Sequence, residues 1–525
     1  MNKYLFSFTI TAITFFISSV LCTRTLAQAP AIQWQKSYGG SGTDGSNCVQ
    51  RTPDGGYITG GYSNSTNGQV TGNHGGMDCW VVKTDDTGKI VWEKSFGGSG
   101  DDQVDYLQCD VNGGYIISGS TSSNDGDVSG NHGGLDAWVL KIDDTGKILW
   151  QKVMGSSGFD FANYVVNTPD SGYFVVGSAG ANDGDVSGLF GGNDVWAIRL
   201  NKTGGLVWDK VYGSTGYEYG FNGINTADGG FIITAQAGAA NGDITTFRGG
   251  SADAWILKLN DTGAIQWQKT YGGSGFDQAF GISAMAGGYI FTAYTSSPDD
   301  EVTGLHGATN PDNWVVRIND TGAIIWEKCF GSNGIEWPGS QFVKAFDGSF
   351  VICGITTNNS GDVTGDHGNS DYWVFDVDTS GNLKWEECLG GTGFDTAVHI
   401  IQTPDSGFMV VGGSTSTSGQ VSGNHGGEDF WMVKLYKQDT TINDKVQSIG
   451  INAAFSIFPN PATNEINISS GDKIRAITIS NLLGQTILYN EYPSVNTVVI
   501  NISSLNQGIY FIKVNGSEVR KLIKE

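Results

Sequence analysis

The chain is short of charge, and of positive charge above all. Only 16% of its 525 residues are charged, and 29 Lys and Arg face 53 Asp and Glu, for a formal net charge of −24. Such a surface repels phosphate backbones and anionic lipid, so nucleic acid is excluded as a partner. Beyond the N-terminus no apolar run is long enough to span a bilayer, so no transmembrane segment is expected in the mature chain. Six histidines form no HxxxH or His-Cys cluster for zinc. The cysteines show no CxxC pair. Cys48, Cys79, Cys109, Cys329, Cys353 and Cys388 stand singly in strand-like segments, where a thiol packs as a small hydrophobe. No disulfide framework is expected, and no segment sustains a helical period.

Glycine, by contrast, is abundant, at 79 residues. No three-residue period accompanies it, which excludes collagen, and 39% hydrophobic residues exclude a disordered chain. Many short strands joined by glycine turns fit this composition. The N-terminus carries Lys3, an apolar run from Leu5 to Cys22, and the small-residue site Thr25-Leu26-Ala27. Residues 1–27 therefore read as a signal peptide. Leu21 is large where a lipid-attachment site before Cys22 needs a small residue, so cleavage rather than lipid anchoring is expected.

Two tryptophan series reveal an internal repeat. Trp34, Trp92, Trp150, Trp208, Trp267, Trp326 and Trp385 recur every 58 or 59 residues, as do Trp80, Trp138, Trp196, Trp255, Trp314, Trp373 and Trp431. Only Trp337 stands outside. Each unit divides into four strands, as in VDYLQCD, YIISGSTS, DAWVLKI and the next unit's I-x-W strand, joined by Gly- and Asp-rich turns. Seven such units predict an all-β, seven-bladed β-propeller over 32–436. The chain enters on a lone Trp34 strand and leaves on a Trp431 strand, so the first strand should complete the last blade and close the ring. We name the strands of a blade A, innermost, to D, outermost. The D–A loops and the long B–C loops then share one face, which is the expected binding face.

The stretch SGNHGGLDAW, residues 129–138, raises the question of chemistry. Its histidine recurs as His74, His132, His306, His367 and His425. Its aspartate recurs in all seven units, as Asp78, Asp136, Asp194, Asp253, Asp312, Asp371 and Asp429. Catalysis needs one asymmetric constellation, whereas a turn is needed in every blade, so both residues are expected to be structural and no catalytic residue is assigned. A second acidic series, Asp44, Asp102, Asp160, Glu218, Asp277, Glu336 and Asp395, follows the GGSG-type loops near the channel mouth. At roughly 10 Å, neighbouring charges repel by about 0.4 kcal/mol in water and about 1.7 kcal/mol at an effective dielectric near 20. Loop hydrogen bonds can offset that. No cofactor is expected, and calcium is the one ion these acids leave open. Phe159, Tyr217, Phe276 and Phe394 lie beside them; the phenylalanines are expected to fill gaps between blades, the alternative for an exposed ring being to stack on a sugar. Trp337 and Arg248, unmatched in the other units, join the seven acids as candidate ligand contacts.

The D-T-G-K-x-x-W segments resemble the tryptophan-docking repeats of quinoprotein dehydrogenases, which implies that each outer-strand tryptophan staples adjacent blades. The longer repeat and the lack of an adjacent cysteine pair separate the chain from that cofactor chemistry. A polar linker at 437–454 leads to FSIFPNPATNEINIS, IRAITISNLLGQTI, INISSLNQGIYFIKV and VRKLIKE. Phe458-Pro459-Asn460-Pro461-Ala462, the turn around Gly484, Gly508-Ile509-Tyr510 and the basic tail at Lys521 resemble the type A sorting domain of the type IX secretion system. That resemblance implies a small β-sandwich over 455–525, export by the Sec and then the type IX machinery, and a secreted or outer-membrane surface location. The propeller repeats are also similar to exported proteins loosely labelled endoglucanases. A binding or adhesion module for an extracellular glycan or protein is the expected function. The alternative is a polysaccharide-acting glycoside hydrolase, which needs two carboxyl groups about 5–9.5 Å apart, with Glu336 as one candidate.

Overall fold

The computed structural model describes residues 26–307, 310–436, 455–481, 486–515 and 518–524. The predicted signal segment as far as residue 25, the linker 437–454 and Gly484 with its turn lie outside the described residues. The chain divides into two compact units, Met1–Gln438 and Asp439–Glu525. Every element among the described residues is a strand.

The first unit is a seven-bladed β-propeller of four-stranded antiparallel sheets. Blade 1 runs A Asp44–Arg51, B Tyr57–Ser63, C Asp78–Thr84 and D Ile90–Phe96. The middle strands, such as Tyr115–Thr121 and Asp136–Ile142, are buried at every position. They read as almost continuous apolar and small residues because each blade is covered on both faces by its neighbours. Each A strand packs against the A strands of both adjacent blades, the first against the last included, so the A strands line the channel. Blade 7 takes its outer strand from the start of the chain. Ala31–Tyr38 pairs antiparallel with Asp429–Tyr436, placing Ser37 opposite Trp431 and Tyr38 opposite Phe430. The Trp431 indole N–H also donates to Gln35 Oε1 at 2.7 Å.

Both tryptophan series hold the wheel together, in different ways. The C-strand indoles are buried, from 0% exposed at Trp80 to 2% at Trp138. Their N–H groups donate to a polar side chain on the neighbouring D strand, as Trp138 does to Gln151 and Trp314 to Glu327. The D-strand indoles are mostly half-buried and reach the C–D turn of the next blade. Trp92, Trp208 and Trp326 donate to the carbonyls of Asp144, Asp261 and Thr379, each at 3.1 Å. At Gly204 (φ +78°) an added Cβ would lie 2.9 Å from the Trp150 ring, so the staple requires a bare turn. The stapling implied by the sequence is thus a real contact from blade to blade.

In the second unit, Glu465–Ser480 is the backbone of a small β-sandwich. Its first half pairs with Phe455–Phe458 and its second half with Gly508–Val514, while Thr486–Asn501 pairs along both halves. The pairing register against Thr486–Asn501 shifts between Ser469 and Ile474. Ile466, Ile468, Ile477, Ile479, Ile500 and Ile512 form the unit's buried core.

Candidate functional site

The seven acids after the GGSG-type loops are at most 1% exposed. Each accepts the main-chain N–H two residues into its own D–A loop at 2.6–2.9 Å, from Gly40 to Asp44 in blade 1 through Gly391 to Asp395 in blade 7. Hydroxyls complete the shell. Ser123 donates to Asp102, Ser65 to Asp44, Ser156 to Asp160, Ser214 to Glu218, Ser297 to Asp277, and Ser332 with Thr356 to Glu336. The sequence reading of Asp44, Asp102, Asp160, Glu218, Asp277, Glu336 and Asp395 as ligand contacts is therefore corrected. A loop of main-chain N–H groups needs an internal acceptor, and the acid supplies it.

The C-strand aspartates face these acids across the blade junctions. Their Oδ2 atoms accept the histidine Nδ1 at 2.5–2.8 Å in five blades. In the other two blades, Oδ2 takes the main-chain N–H of Phe190 or Arg248. In those five blades the histidine thus holds the aspartate of its own loop. The Oδ1 atoms of all seven aspartates are buried without a hydrogen-bond partner. A Cβ added at Gly213 would lie 2.2 Å from Asp194 Oδ1 and 2.9 Å from Glu218 Oε2, so only glycine fits between the two carboxyls. Burial pushes Asp78 up to about 6 and Asp253 up to about 7, and it holds Asp194 well above the usual carboxylate range. At the Asp194–Glu218 junction a proton on Oδ1 would turn that orphan acceptor into a donor toward the next blade's acid.

The channel is where the blades cease to be alike. In each A strand the pairing register shifts just past the acid, as between Ser46 and Cys48, Val104 and Tyr106, Gly220 and Asn222, and Ala397 and His399. A bulge leaves one residue unpaired and re-aims its side chain. The third residue after each acid falls within these irregularities: Asn47, Asp105, Asn163, Phe221, Phe280, Gly339 and Val398. All seven line one cavity of about 420 Å³, joined by Trp337, Ser340, Ile355 and Thr396 among others. One residue deeper the channel is blocked. Tyr106 and Tyr164 stack at 4.0 Å, Tyr106 lies 5.7 Å from His399, and Gln341 of blade 6 hydrogen-bonds Tyr164 of blade 3 across the axis. His399 is 1% exposed with neither ring nitrogen bonded, and burial lowers it to about 3, so it is neutral.

Trp337 lines this cavity and is 40% exposed. Glu336, its neighbour, turns inward. Arg248 lies elsewhere, in a surface cleft with Thr245 and Tyr271, paired with Glu301. Phe159 and Phe394, expected to pack between blades, are 58% and 59% exposed instead, as is Tyr217 at 62%, because the D–A loops are held by hydrogen bonds and leave these rings outside. Together with Ile335 they make an apolar rim on the loop-rich face. Asp105, Asn47, Asn163, Phe221 and Phe280 escaped the sequence reading. The available signal was the unlikeness of one column in otherwise like repeats. Among the described residues no three His, Cys, Asp or Glu side chains converge as a metal-binding group.

The sorting motif is a clasp. Asn460 donates through Nδ2 to the Lys521 carbonyl at 2.7 Å and accepts from the Ile523 N–H at 2.9 Å, while the Ala462 N–H donates to the Ile523 carbonyl. Phe458 is exposed, Ala462 is buried, and Gly508 opens the strand paired with Glu518–Lys524. Pro459 and Pro461 flank Asn460 and have no N–H to offer.

Fold and cavity together define a β-propeller with a blind central pocket, carrying a separate β-rich tail. Residues 456–525 match the family described as the secretion system C-terminal sorting domain. The tail addresses the chain to the cell surface or the outside by the type IX route. No helix among the described residues is long and apolar enough to cross a membrane. No curated protein matches the chain. Among solved structures it is similar to BBS1N in complex with ARL6DN, at 10% identity and TM-score 0.43, covering 78% of this chain and 97% of that one. Hydrazine synthase of Kuenenia stuttgartiensis gives 11% identity and TM-score 0.43 over 71% and 93%. A fungal alcohol oxidase of the AA5 family, in complex with copper, gives 10% identity and TM-score 0.40 over 95% and 100%.

Proposed function

We propose that the protein is a binding module, entering export through the Sec machinery behind its signal segment and displayed or released by the type IX system, with the channel pocket as its ligand site. One observation carries this reading: seven strand irregularities bring to one blind cavity a ring of residues without sevenfold likeness, Asn, Asp, Asn, Phe, Phe, Gly and Val in blade order, with the exposed Trp337 at its wall. Identical scaffolding would need no such asymmetry. The apolar rim of Phe159, Tyr217, Ile335 and Phe394 suits a larger molecule, a glycan or protein, whose terminal group enters the cavity. Asp105 is the one carboxyl group among the residues lining the pocket. The hydrolase alternative needs two, and Glu336 is engaged in its loop, so the geometry favours binding over hydrolysis. The test is a glycan-array and surface-protein binding screen of the full exported chain beside Trp337→Ala. Binding lost in the variant supports the reading. Release of reducing sugar that Glu336→Gln abolishes would overturn it.

A further inference from the structure

We propose that the channel pocket recognises a primary alkylammonium group, as on a free amine or a lysine side chain. The inference rests on the pocket being the ligand site and names the chemistry of what enters it. The cavity has two unlike sectors. Blades 1 to 3 contribute Asn47, Asp105 and Asn163. Asn47 Nδ2 donates to the Val104 carbonyl and Asn163 Nδ2 to the Gly220 carbonyl, both at 2.7 Å. A carbonyl cannot donate in return, so each amide is fixed in orientation, its oxygen an acceptor and one of its two N–H groups engaged. Ser340 likewise gives its hydroxyl proton to the Val398 carbonyl at 3.1 Å. Asp105 receives one donor, Gln103 Nε2 at 2.9 Å, and its Oδ2 is buried with no partner. Asp105 with the two amide oxygens makes the blade 1 to 3 sector rich in acceptors, and Ser340 of blade 6 adds a hydroxyl oxygen whose proton is already given away.

The opposite sector is aromatic. Phe221 and Phe280 lie 5.1 Å apart, and Phe280 and Trp337 lie 6.0 Å apart, making one continuous wall. Aromatic faces attract a cation and receive a methylene stem. A primary ammonium supplies three N–H donors and one positive charge, and its alkyl stem is apolar, so it meets both sectors at once. A neutral sugar offers donors without charge and would leave the Asp105 carboxylate uncompensated. An inorganic cation would find only one carboxylate and a largely apolar wall. The formal charge of −24 attracts cations to the molecule as a whole. Burial pushes the Asp105 carboxyl up to about 7, and no other titratable side chain lines the pocket among the described residues. Ammonium binding should therefore strengthen as pH rises from 6 to 8 and Asp105 ionises.

Calorimetric titration of the full exported chain with n-butylammonium, beside n-butanol and neutral glycans, tests this. One butylammonium per chain should bind at pH 8, with n-butanol at least about tenfold weaker. Asp105→Asn, which keeps shape and removes charge, should weaken binding about tenfold or more and erase its pH dependence. Trp337→Ala should weaken it about threefold or more. Nα-acetyl-lysinamide, compared with butylammonium, separates a protein lysine from a free amine as the source, and binding of either upholds the class. Equal affinity for butanol and butylammonium, or an unaltered Asp105→Asn titration, overturns the inference. Trp337-dependent glycan binding with no ammonium binding overturns it while leaving the pocket as a binding site. Failure of every ligand overturns both.

Discussion

Two positions three residues apart on the same strand make the most instructive contrast in the molecule. The acid that opens each inner strand is an Asp or Glu in all seven blades, buried, and satisfied within its own loop. Three residues on, the blades present Asn, Asp, Asn, Phe, Phe, Gly and Val to one cavity. The first position answers a demand that recurs at every junction, and so it repeats. The second answers to something that lacks sevenfold symmetry. In a propeller, repetition marks the scaffold and departure from repetition marks the ligand.

Solution pH should break the junctions most strongly. Asp78, Asp194 and Asp253 have carboxyls raised by burial above the unfolded value of about 3.9. The fold favours their neutral forms, so this contribution is complete below about pH 4 and is lost as pH climbs to about 7. Carboxylates lowered by lysine partners, such as Asp54 beside Lys83, act in the opposite sense at lower pH. Thermal melts should therefore show highest stability near pH 4–5 and a decline toward pH 8. Asp194→Asn, which mimics the neutral acid, should flatten that slope. A flat profile in the parent protein would refute the account of buried, neutral carboxyls at the junctions.

Next comes Trp138→Ala, which should cost about 3–5 kcal/mol in denaturant unfolding, because the indole is enclosed. Trp92→Ala, at a half-buried staple, should cost less. Asp160→Ala should cost about 2–3 kcal/mol by orphaning the N–H and hydroxyl of Ser156 and the Gly180 N–H, with ligand affinity unchanged in the folded fraction. Trp337→Ala inverts that pattern, with a stability change of about 1 kcal/mol or less and a clear loss of binding. Phe394→Ala should be smallest of all, within about 0.5 kcal/mol by melting. If Asp160→Ala abolished binding while the blade stayed folded, the division into scaffold and site would fail.

The wheel was legible because its cause is periodic. Two indoles per unit, the turn glycines and the lone first strand each announce a contact that recurs, and ring closure through Trp34 and Trp431 followed from counting strands. The pocket was legible only at Trp337, the one indole out of phase. The seven acids misled because a letter repeated beside a loop does not tell whether its carboxylate faces water or the loop's own N–H groups. Asp105 was hidden for another reason. What turns it into the channel is a slip in pairing against the neighbouring strand, and the residues around it look like any alternating strand. Comparing the repeats column by column and asking where they disagree would have found it.

The closing strand also dictates an order of assembly. Gln35 and Trp431 meet although 396 residues separate them along the chain. A polypeptide delivered from its N-terminus exposes Ala31–Tyr38 first and must keep that segment unpaired until the seventh sheet emerges. The entropic toll of so long a loop grows only logarithmically with its length, so waiting is thermodynamically mild. It is kinetically hazardous, since the idle strand can pair with the matching edge of another molecule. Export that holds each chain apart until residue 436 has emerged would guard against such swapped rings.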